Sequence, residues 1–441
     1  MPTIGIRSGC KRWGLLLCLL ALVSLCAPAA QAQTRLIVRD SLGLPGINLT
    51  CGLLGCNVVR GLGDPQGQLF LITFPPILDP ITAVLQLELN LGIVDVELDQ
   101  TLDTRDNAYA SSASYLSDKT PTAYYGSKVW HGYLVQPGNQ LIRTASTHSA
   151  FHVTGSGVIV AVIDTGVDPN SPVLKNVLVA GYDFTRNTNG GSEMSDVNVS
   201  PAGSGQQSGQ VNQRTVAVLD QRTVAVLDGQ QYSAFGHGTM TSGIVHLVAP
   251  QAKIMPLKAF TAAGTGYESD VLRAIYYAVQ NGARVLNMSF DFSNYSQELA
   301  TAVKYANSNG VISVASAGND GQYEFVYPGA LPSVIDVAST SNQDTQSSFT
   351  NYGTPPVFMA APGEGVMTTY PWGTYAAGWG TSFSTPLVAG TAALMLGANG
   401  NCSSSQVASG LAHADVIYNP ELGWGRLDTY QAVQSCHGLL F

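Results

Sequence analysis

Three short motifs bring a carboxylate, an imidazole and a hydroxyl to the ends of predicted elements. Asp164 ends an apolar, β-branched strand, whereas His237 and Ser382 each stand at the start of a predicted helix. The helix at His237 is predicted to run to about Val248, and Pro386 is predicted to lie in the first turn of the helix at Ser382. Acyl transfer at neutral pH needs a hydroxyl nucleophile, a base beside it and a group that orients the base. Asp164, His237 and Ser382 could supply these roles.

Each motif alone also has a structural explanation. An Asp at a strand end usually forms a turn or caps a helix, a single His is usually structural, and a Ser at a helix start is usually a cap. The chain order Asp, His, Ser joins the three into one hypothesis, because subtilisin has the same order. An aspartic-protease mechanism is disfavoured, since it needs two Asp-Thr-Gly carboxylates and the chain has one such motif.

The chain from about residue 150 to 435 resembles the subtilisin-like serine proteases (subtilases, peptidase family S8). Besides the three motifs, the segments HGTMTSGIVHLVAPQAKIMPLKAF, AIYYAVQNGARVLNMSF and GWGRLDTYQAV occur in the family's order. The resemblance implies an α/β fold with a doubly wound, mostly parallel sheet flanked by helices, and the activity of a serine endopeptidase. It also implies that Asn319 and the backbone N–H of the nucleophile donate hydrogen bonds to the oxyanion.

The resemblance further implies a binding cleft in which the substrate adds a strand to an exposed sheet edge. The implied substrate-binding residues are Ser289, Phe290, Asp291, Ser316 and Gly318. The family usually has glycine where Asp291 and Phe292 stand. We therefore expect Asp291 either to narrow the cleft or to favour basic or polar substrate residues a few positions before the cut.

Two alternatives to this function stay open. The Ser-Thr-Pro that follows Phe383 is similar to the sequence after the nucleophile in sedolisins, which use Glu in place of the His, but the intact motif at His237 and Asn319 argue against that assignment. The other alternative is a catalytically silent relative that binds proteins through the same edge strands. The complete set of four residues favours the enzyme.

From Val129 onward, apolar strand-like runs alternate with helical patterns, which favours a parallel sheet in residues 129–441. The predicted strands are Gly157 to Ile163, Lys253 to Lys258, Arg284 to Met288, Val311 to Ser316 and Val334 to Ala338. A polar insertion at 187–231 contains QRTVAVLD twice in tandem, at 213–220 and 221–228. We interpret the repeat as slippage in a tolerant surface loop; the alternative is a β-ribbon flap in which the copies pair with each other.

Residues 33–100 are predicted to form a small α+β domain, followed by a linker at 101–128. Its strands are predicted at Arg35 to Arg39, Phe70 to Phe74 and Gly92 to Leu98, with a helix at Pro80 to Asn90. This unit resembles the family's propeptide, which assists folding and inhibits the cleft through its C-terminal tail. We expect self-cleavage between about Gln100 and Tyr125; an accessory domain is the alternative.

Residues 1–32 have the order of a secretory signal: basic residues, then the apolar run from Trp13 to Ala27, then Ala30-Gln31-Ala32. We expect cleavage after Ala32 and export, so that the mature protein is secreted or periplasmic and has no stable membrane span. A retained anchor is the alternative. Cleavage leaves four of the seven cysteines, Cys51, Cys56, Cys402 and Cys436. Two local bridges are expected, although the sequence permits three pairings.

The charge balance excludes a nucleic-acid partner. The 441 residues include 20 Lys and Arg against 29 Asp and Glu, with a net charge of −9, whereas binding to phosphates needs a basic surface. The expected partners are protein or peptide substrates and the chain's own N-terminal unit. No cofactor is expected in the chemistry. His148 and His152 have the spacing of a zinc pair but lack the Glu that metalloproteases need, and no dense acidic loop locates a structural calcium.

Overall fold

The computed structural model describes residues 33–76, 78–103, 114–197, 216–218, 232–417 and 419–437. They form two compact units. The first unit contains the described residues up to Arg60 together with Phe70–Leu98, and the second contains Gly61–Leu69 and the described residues from Asp99 onward. The predicted signal segment lies outside the described residues.

The first unit is a four-stranded sheet with two helices. Its elements are β1 Thr34–Asp40, α1 Gly43–Leu54, β2 Asn57–Gly61, β3 Leu69–Phe74, α2 Pro80–Glu88 and β4 Ile93–Leu98. The strand order is β2-β3-β1-β4, with β1 and β4 antiparallel. Apolar side chains such as Leu36, Ile72 and Leu87 are fully buried between the sheet and the helices. Asp79 caps α2 by accepting a hydrogen bond from the N–H of Thr82.

The second unit is built on an eight-stranded sheet with the order β10-β9-β12-β8-β14-β15-β16-β17. Its strands are β8 Ile159–Asp164, β9 Tyr182–Asp183, β10 Thr188–Asn189, β12 Lys253–Lys258, β14 Val285–Met288, β15 Ile312–Ser316, β16 Val334–Thr340 and β17 Met359–Pro362. All neighbours pair in parallel except β9 and β10. The expected α/β fold with a mostly parallel sheet is confirmed.

Nine helices of at least five residues belong to the described part of the second unit. They are α3 His131–Val135, α4 Pro137–Leu141, α5 Thr144–Phe151, α6 His237–Val248, α7 Glu268–Gln280, α8 Gln297–Ser308, α9 Thr381–Ala398, α10 Ser404–Leu411 and, ending at the last described residue, α11 Thr429–His437, of which α3 and α4 are single turns separated by Gln136. Helices α6 and α9 are buried along nearly their whole length and pack on each other, whereas α7 and α8 form a second packed pair. Burial on all sides explains why neither α6 nor α9 has a polar face.

Smaller sheets surround the central one. They are the hairpin β6 Pro121–Tyr124 with β7 Ser127–Trp130, the pair β5 Thr101–Asp103 with β13 Thr265–Tyr267, and the sheet of β11 Val216–Val218, β19 Thr374–Gly378 and β18 Val366–Tyr370. Strand β11 comes from the first copy of the octapeptide repeat and pairs antiparallel with β19. The rest of the repeat lies outside the described residues.

The bounds of the predicted strands and helices agree with the structure within about two residues, but one proline lies elsewhere in its helix and several elements were not predicted, including strands β5 and β6 in the expected linker at 101–128. Pro386 was expected in the first turn of its helix but is the sixth residue of α9, so its missing N–H removes a hydrogen bond from the helix interior. Helix α1 and strand β2 were not predicted at all. Leu42, the residue that precedes helix α1, gives it no side-chain cap, so the usual polar signal of a helix start is missing.

The four cysteines outside the signal lie as two local pairs. Cys51 and Cys56 have Cα atoms 4.5 Å apart, and Cys402 and Cys436 have Cα atoms 6.7 Å apart, which is the range for disulfides. This agrees with the expected local pairing. Within the described residues, no helix is both long and apolar enough to cross a bilayer.

Candidate active site

Asp164 and His237 meet at the carboxyl end of the central sheet. Asp164 ends β8, and His237 is the first residue of α6; both side chains are buried. Asp164 Oδ1 lies 2.7 Å from His237 Nδ1, while Oδ2 accepts a hydrogen bond of 3.0 Å from Thr241 Oγ1. Oδ1 also accepts the N–H of Thr165 at 2.6 Å. The carboxylate is thus held by three donors, one of which is the imidazole.

Helix α6 reaches Asp164 because a glycine follows the histidine. A Cβ atom at Gly238 would lie only 1.9 Å from the carbonyl oxygen of Gly166, in the turn after Asp164. Any larger residue would force the helix away from that turn. The Gly-His-Gly-Thr motif therefore sets the distance between the imidazole and the carboxylate.

A buried carboxylate that the sequence analysis missed joins the same two motifs. Glu193 Oε2 accepts hydrogen bonds from Gly236 N at 2.8 Å and Thr165 Oγ1 at 3.1 Å, and Oε1 accepts one from Thr239 Oγ1. Burial is the main cause that raises the Glu193 pKa to about 7, while these hydrogen bonds and Lys258 oppose the shift. Glu193 lies in the predicted polar insertion, where no local pattern distinguishes it. The role of Glu193 follows only from its hydrogen bonds to residues that are distant in the sequence.

Ser382 is the second residue of α9 and is 5% exposed. Pro386 has no N–H to donate to the carbonyl of Ser382 four residues earlier. That carbonyl instead accepts a hydrogen bond of 2.9 Å from Ser289 Oγ, and Ser382 Oγ lies 3.4 Å from the carbonyl oxygen of Ser289. The next side chain, Phe383, packs on the His237 ring with centroids 5.6 Å apart. These contacts bring the serine, the imidazole and Ser289 into one site.

Asn319 follows β15 and contacts the residue before Ser382. Its Oδ1 accepts hydrogen bonds from Thr381 N at 2.8 Å and Thr381 Oγ1 at 3.1 Å. With Oδ1 bound in this way, the amide group of Asn319 has a fixed orientation at the start of α9. The N–H of Ser382 belongs to the first turn of the same helix, where N–H groups have no partner within the helix.

The remaining predicted residues lie on two adjacent segments beyond β14 and β15. Ser316 Oγ donates a hydrogen bond of 3.3 Å to the carbonyl of Phe290, which links the two segments. The carbonyl of Gly318 accepts the N–H of Asn351 at 3.0 Å. Asp291 is half-buried, and its charge acts on the buried Asp336.

Within the part of the chain that the structure describes, neither of the metal sites considered from the sequence has a donor set. His148 Nε2 lies 2.8 Å from the carbonyl oxygen of Val248, and burial lowers the His148 pKa. No group of three or more His, Cys, Asp or Glu residues in the described ranges fits a metal ion. Calcium binding is a feature of related proteases, but these residues assign no position for it.

A buried acid–imidazole pair and a serine at a helix start thus lie at the carboxyl ends of the parallel sheet. Comparison with known proteins agrees. The sequence pattern of the subtilase family, Peptidase S8, matches residues 155–425. The chain is 34% identical over 293 residues to thermitase from Thermoactinomyces vulgaris, an alignment that covers 64% of this chain and 90% of thermitase. It is 32% identical over 297 residues to subtilisin E from Bacillus subtilis strain 168, covering 66% and 69% of the two chains.

A solved structure supports the fold. Fervidolysin from Fervidobacterium pennivorans, described as a keratinolytic enzyme related to subtilisin, superposes with a TM-score of 0.67 at 22% identity. The match covers 92% of this chain and 62% of fervidolysin. The chain belongs to the subtilase family and is a serine-type endopeptidase.

Proposed function

We propose that this enzyme is exported and hydrolyses peptide bonds through an acyl-enzyme on Ser382, with His237 as the base and Asp164 as its orienting group. The 2.7 Å contact between Asp164 Oδ1 and His237 Nδ1 carries the proposal. Because a carboxylate can only accept, Nδ1 holds the proton and Nε2 becomes the basic nitrogen. His237 then takes the proton of Ser382 during attack and gives it to the leaving amine.

The developing oxyanion has two proposed donors, the Asn319 side chain and the N–H of Ser382. The hydrogen bonds from Thr381 to Asn319 Oδ1 support this role, because they leave the NH₂ end of the amide as the one that can donate. The position of Ser382 in the first helical turn supports the backbone donor. One donor of this kind is worth about 3 to 4 kcal/mol, a magnitude measured on subtilisin itself.

Asp164→Asn tests the assignment of the base. The amide can donate to Nδ1 and favour the wrong tautomer, so we expect kcat to fall about 10⁴-fold, as in an unrelated serine protease. The measurement is hydrolysis of a chromogenic peptide, with the exposed Glu421→Gln as a control for a lost surface charge. A loss below tenfold in a folded Asp164→Asn enzyme would remove Asp164 from the mechanism.

The substrate is proposed to bind along Ser289, Phe290 and Asp291, with the residue before the scissile bond beside Ser316 and Gly318. Three contacts support this. Ser289 bonds to Ser382, Phe290 bonds to Ser316, and Phe290 packs on Phe260 with ring centroids 5.0 Å apart. Phe260 in turn lies against β13, since a Cβ at Gly266 would be 2.8 Å from its ring. Strand β13 is therefore proposed as the opposite edge of the cleft.

The segment that follows the first unit already pairs with this edge, which supports its proposed role as an inhibitory tail. Strand β5 pairs antiparallel with β13, with Thr101 opposite Tyr267. Just before it, the Asp99 carboxylate accepts hydrogen bonds of 3.0 Å from both the N–H and Oγ of Ser269, at the start of α7. A carboxylate at a helix N-terminus is stabilised by the exposed N–H groups and the helix dipole. Residues 33–100 are thus proposed as a propeptide.

Processing of the full-length chain tests the propeptide. Ser382→Ala should keep the N-terminal unit attached, whereas the wild type and Ser384→Ala, two residues along the same helix, should release it. Appearance of peptidase activity should follow release in time. Unchanged processing of Ser382→Ala in the absence of other proteases would exclude autocatalysis. Mass spectrometry of the exported protein tests the signal, with cleavage expected after Ala32.

A further inference from the structure

A row of aromatic side chains lies on the surface after β15 and has no part in the proposed catalytic machinery. Along the extended segment that contains them, Tyr323 and Phe325 are 56% and 43% exposed, whereas Val326 is 2% exposed. The rings of Tyr323 and Phe325 have centroids 5.9 Å apart. Tyr327, two residues after Phe325, packs edge-on against Tyr295, which is 53% exposed, with centroids 5.5 Å apart. These four side chains form the aromatic row.

Two rings of the aromatic row are held in place although they are exposed. Tyr323 lies against Gly353, where a Cβ would be 2.3 Å from the ring, and its Oη donates a hydrogen bond of 3.3 Å to the carbonyl of Pro355. The Oη of Tyr295 donates one of 3.0 Å to Gln297 Oε1. Ordering a side chain on binding costs free energy, and this cost is small for rings that are already fixed. The row is therefore suited to binding a partner.

The segment that carries the aromatic row also borders the proposed substrate pocket. A Cβ at Gly318 would lie 3.5 Å from Val326 Cγ2, so the buried side of the segment reaches a residue of that pocket. Phe292 N and Tyr327 N each donate to the other residue's carbonyl, at 2.6 and 2.8 Å, which joins the segment to the proposed substrate strand. Tyr323 is only four residues after Asn319. A substrate chain in the cleft, at about 3.3 Å per residue, can therefore reach the row with a flanking segment.

The charge of this part of the chain favours a cationic partner. Residues 285–425, which include Ser382 and the aromatic row, contain nine Asp and Glu residues but only one Lys or Arg, which is Lys304. The exposed Asp320 and the half-buried Glu324 belong to the same surface segment as the row. A cation is attracted both by carboxylates and by the face of an aromatic ring within about 6 Å of its centroid. An acidic partner would be repelled by these carboxylates.

We propose that the aromatic row is an exosite, a surface outside the cleft that binds a second segment of the substrate protein, and that this segment carries Lys or Arg among apolar residues. The rings contact the apolar side chains, while the ring faces and the carboxylates of Asp320 and Glu324 attract the cations. The inference rests on the proposed placement of the substrate beside Gly318. A short peptide that fills only the cleft does not reach the row, so its hydrolysis is independent of it.

The test uses peptides with one cleavable core, flanked by a fluorophore and a quencher, and a flexible spacer that ends in a tag. The tags are Arg-Phe-Arg-Phe, Gln-Phe-Gln-Phe, Glu-Phe-Glu-Phe and Gly-Ser-Gly-Ser, attached in turn to either end of the core. At one of the two ends, the processed wild type should have a kcat/KM about tenfold higher with the Arg-Phe tag than with the Gly-Ser tag, through a lower KM. The Gln-Phe tag should be intermediate, and the Glu-Phe tag should be poorer than the Gln-Phe tag. Equal kcat/KM for all tags at both ends would overturn the proposal.

The double variant Tyr323→Ser with Phe325→Ser assigns the effect to the row. It should lower the Arg-Phe to Gly-Ser ratio of kcat/KM below threefold, while the untagged core is hydrolysed within twofold of the wild-type rate. The control is Tyr125→Ser in the β6–β7 hairpin, because Tyr125 is 43% exposed, as Phe325 is. This control should keep the wild-type ratio. A double variant that also keeps the ratio would overturn the proposal.

A measurement on the wild type alone guards against a variant that fails to fold. Raising NaCl from about 0.05 M to about 0.5 M screens exposed charges, so the ratio of kcat/KM for the Arg-Phe over the Gln-Phe tag should fall at least twofold. A ratio that does not change with salt would overturn the proposed role of the carboxylates. Failure to react with a fluorophosphonate would remove the proposed triad, whereas normal reaction with equal hydrolysis of all tagged peptides would remove only the exosite.

Discussion

The buried Asp336 predicts an unusual dependence of stability on pH. In the unfolded chain an aspartate has a pKa near 3.8, while in the fold burial and Asp291 raise the Asp336 pKa to about 8. Below pH 3.8 the carboxyl is protonated in both the folded and the unfolded state, and its contribution to the free energy of unfolding is at its most favourable. Between pH 3.8 and 8 the unfolded chain loses this proton and the fold keeps it, so stability falls as pH rises. Above pH 8 the loss is complete.

The size of this loss follows from the difference of about four pKa units. At 1.36 kcal/mol per unit, it amounts to roughly 5 kcal/mol between pH 4 and pH 9. Asp336→Asn has a neutral side chain of the same shape and removes the dependence. Relative to the parent, the variant should be about equally stable at pH 4 and more stable by several kcal/mol at pH 9. For a domain of this size that corresponds to a melting temperature higher by roughly 5 to 10 °C.

Thermal melts at pH 4, 6, 8 and 9 would measure the effect. Both proteins should carry Ser382→Ala, which prevents autolysis. The charged group that acts on Asp336 is Asp291, and the neighbouring strands β15 and β17 carry no titratable side chain. The pH dependence of Glu193 is common to both proteins and cancels in the difference. A melting difference that stays constant from pH 4 to pH 9 would refute the raised pKa and the reasoning built on it.

Two further predictions concern activity. Ser289→Ala should lower kcat about tenfold, because the Ser382 carbonyl freed by Pro386 loses its partner; an unchanged kcat would exclude this positioning role. Glu193→Gln should lower kcat with little change in KM. The substitution turns one carboxylate oxygen into an NH₂ donor, which can no longer accept either the hydrogen bonds of Thr165 and Gly236 or that of Thr239. Steady-state kinetics measures both constants, and an effect confined to KM would contradict the prediction.

The catalytic motifs could be predicted from sequence because each is local. Asp164 at a strand end, the helix from His237 to Val248 and the helix containing Ser382 follow from short patterns of apolar, glycine and polar residues, and the structure has these elements. The position of Pro386 was wrong by one turn. A proline normally marks a first turn, but here the carbonyl it leaves free is used by Ser289 on another strand.

Glu193 and Asp336 were missed because their roles depend on contacts across the fold. Glu193 lies in a polar loop and contacts residues 28 to 46 positions away. Asp336 did leave a signal, a single charge inside the apolar run Val334 to Ala338, where a buried parallel strand normally has none. In the first unit, α1 escaped prediction because it lacks a polar cap, so its start looks like any apolar segment.

The central claim is that Ser382 is the nucleophile activated by His237. The most direct measurement is to treat the processed enzyme with a fluorophosphonate and locate the adduct by peptide mass spectrometry. The account predicts one adduct, on Ser382, absent in Ser382→Ala, strongly reduced in His237→Ala and unchanged in Ser384→Ala. An adduct on another serine, or equal labelling of His237→Ala, would contradict it.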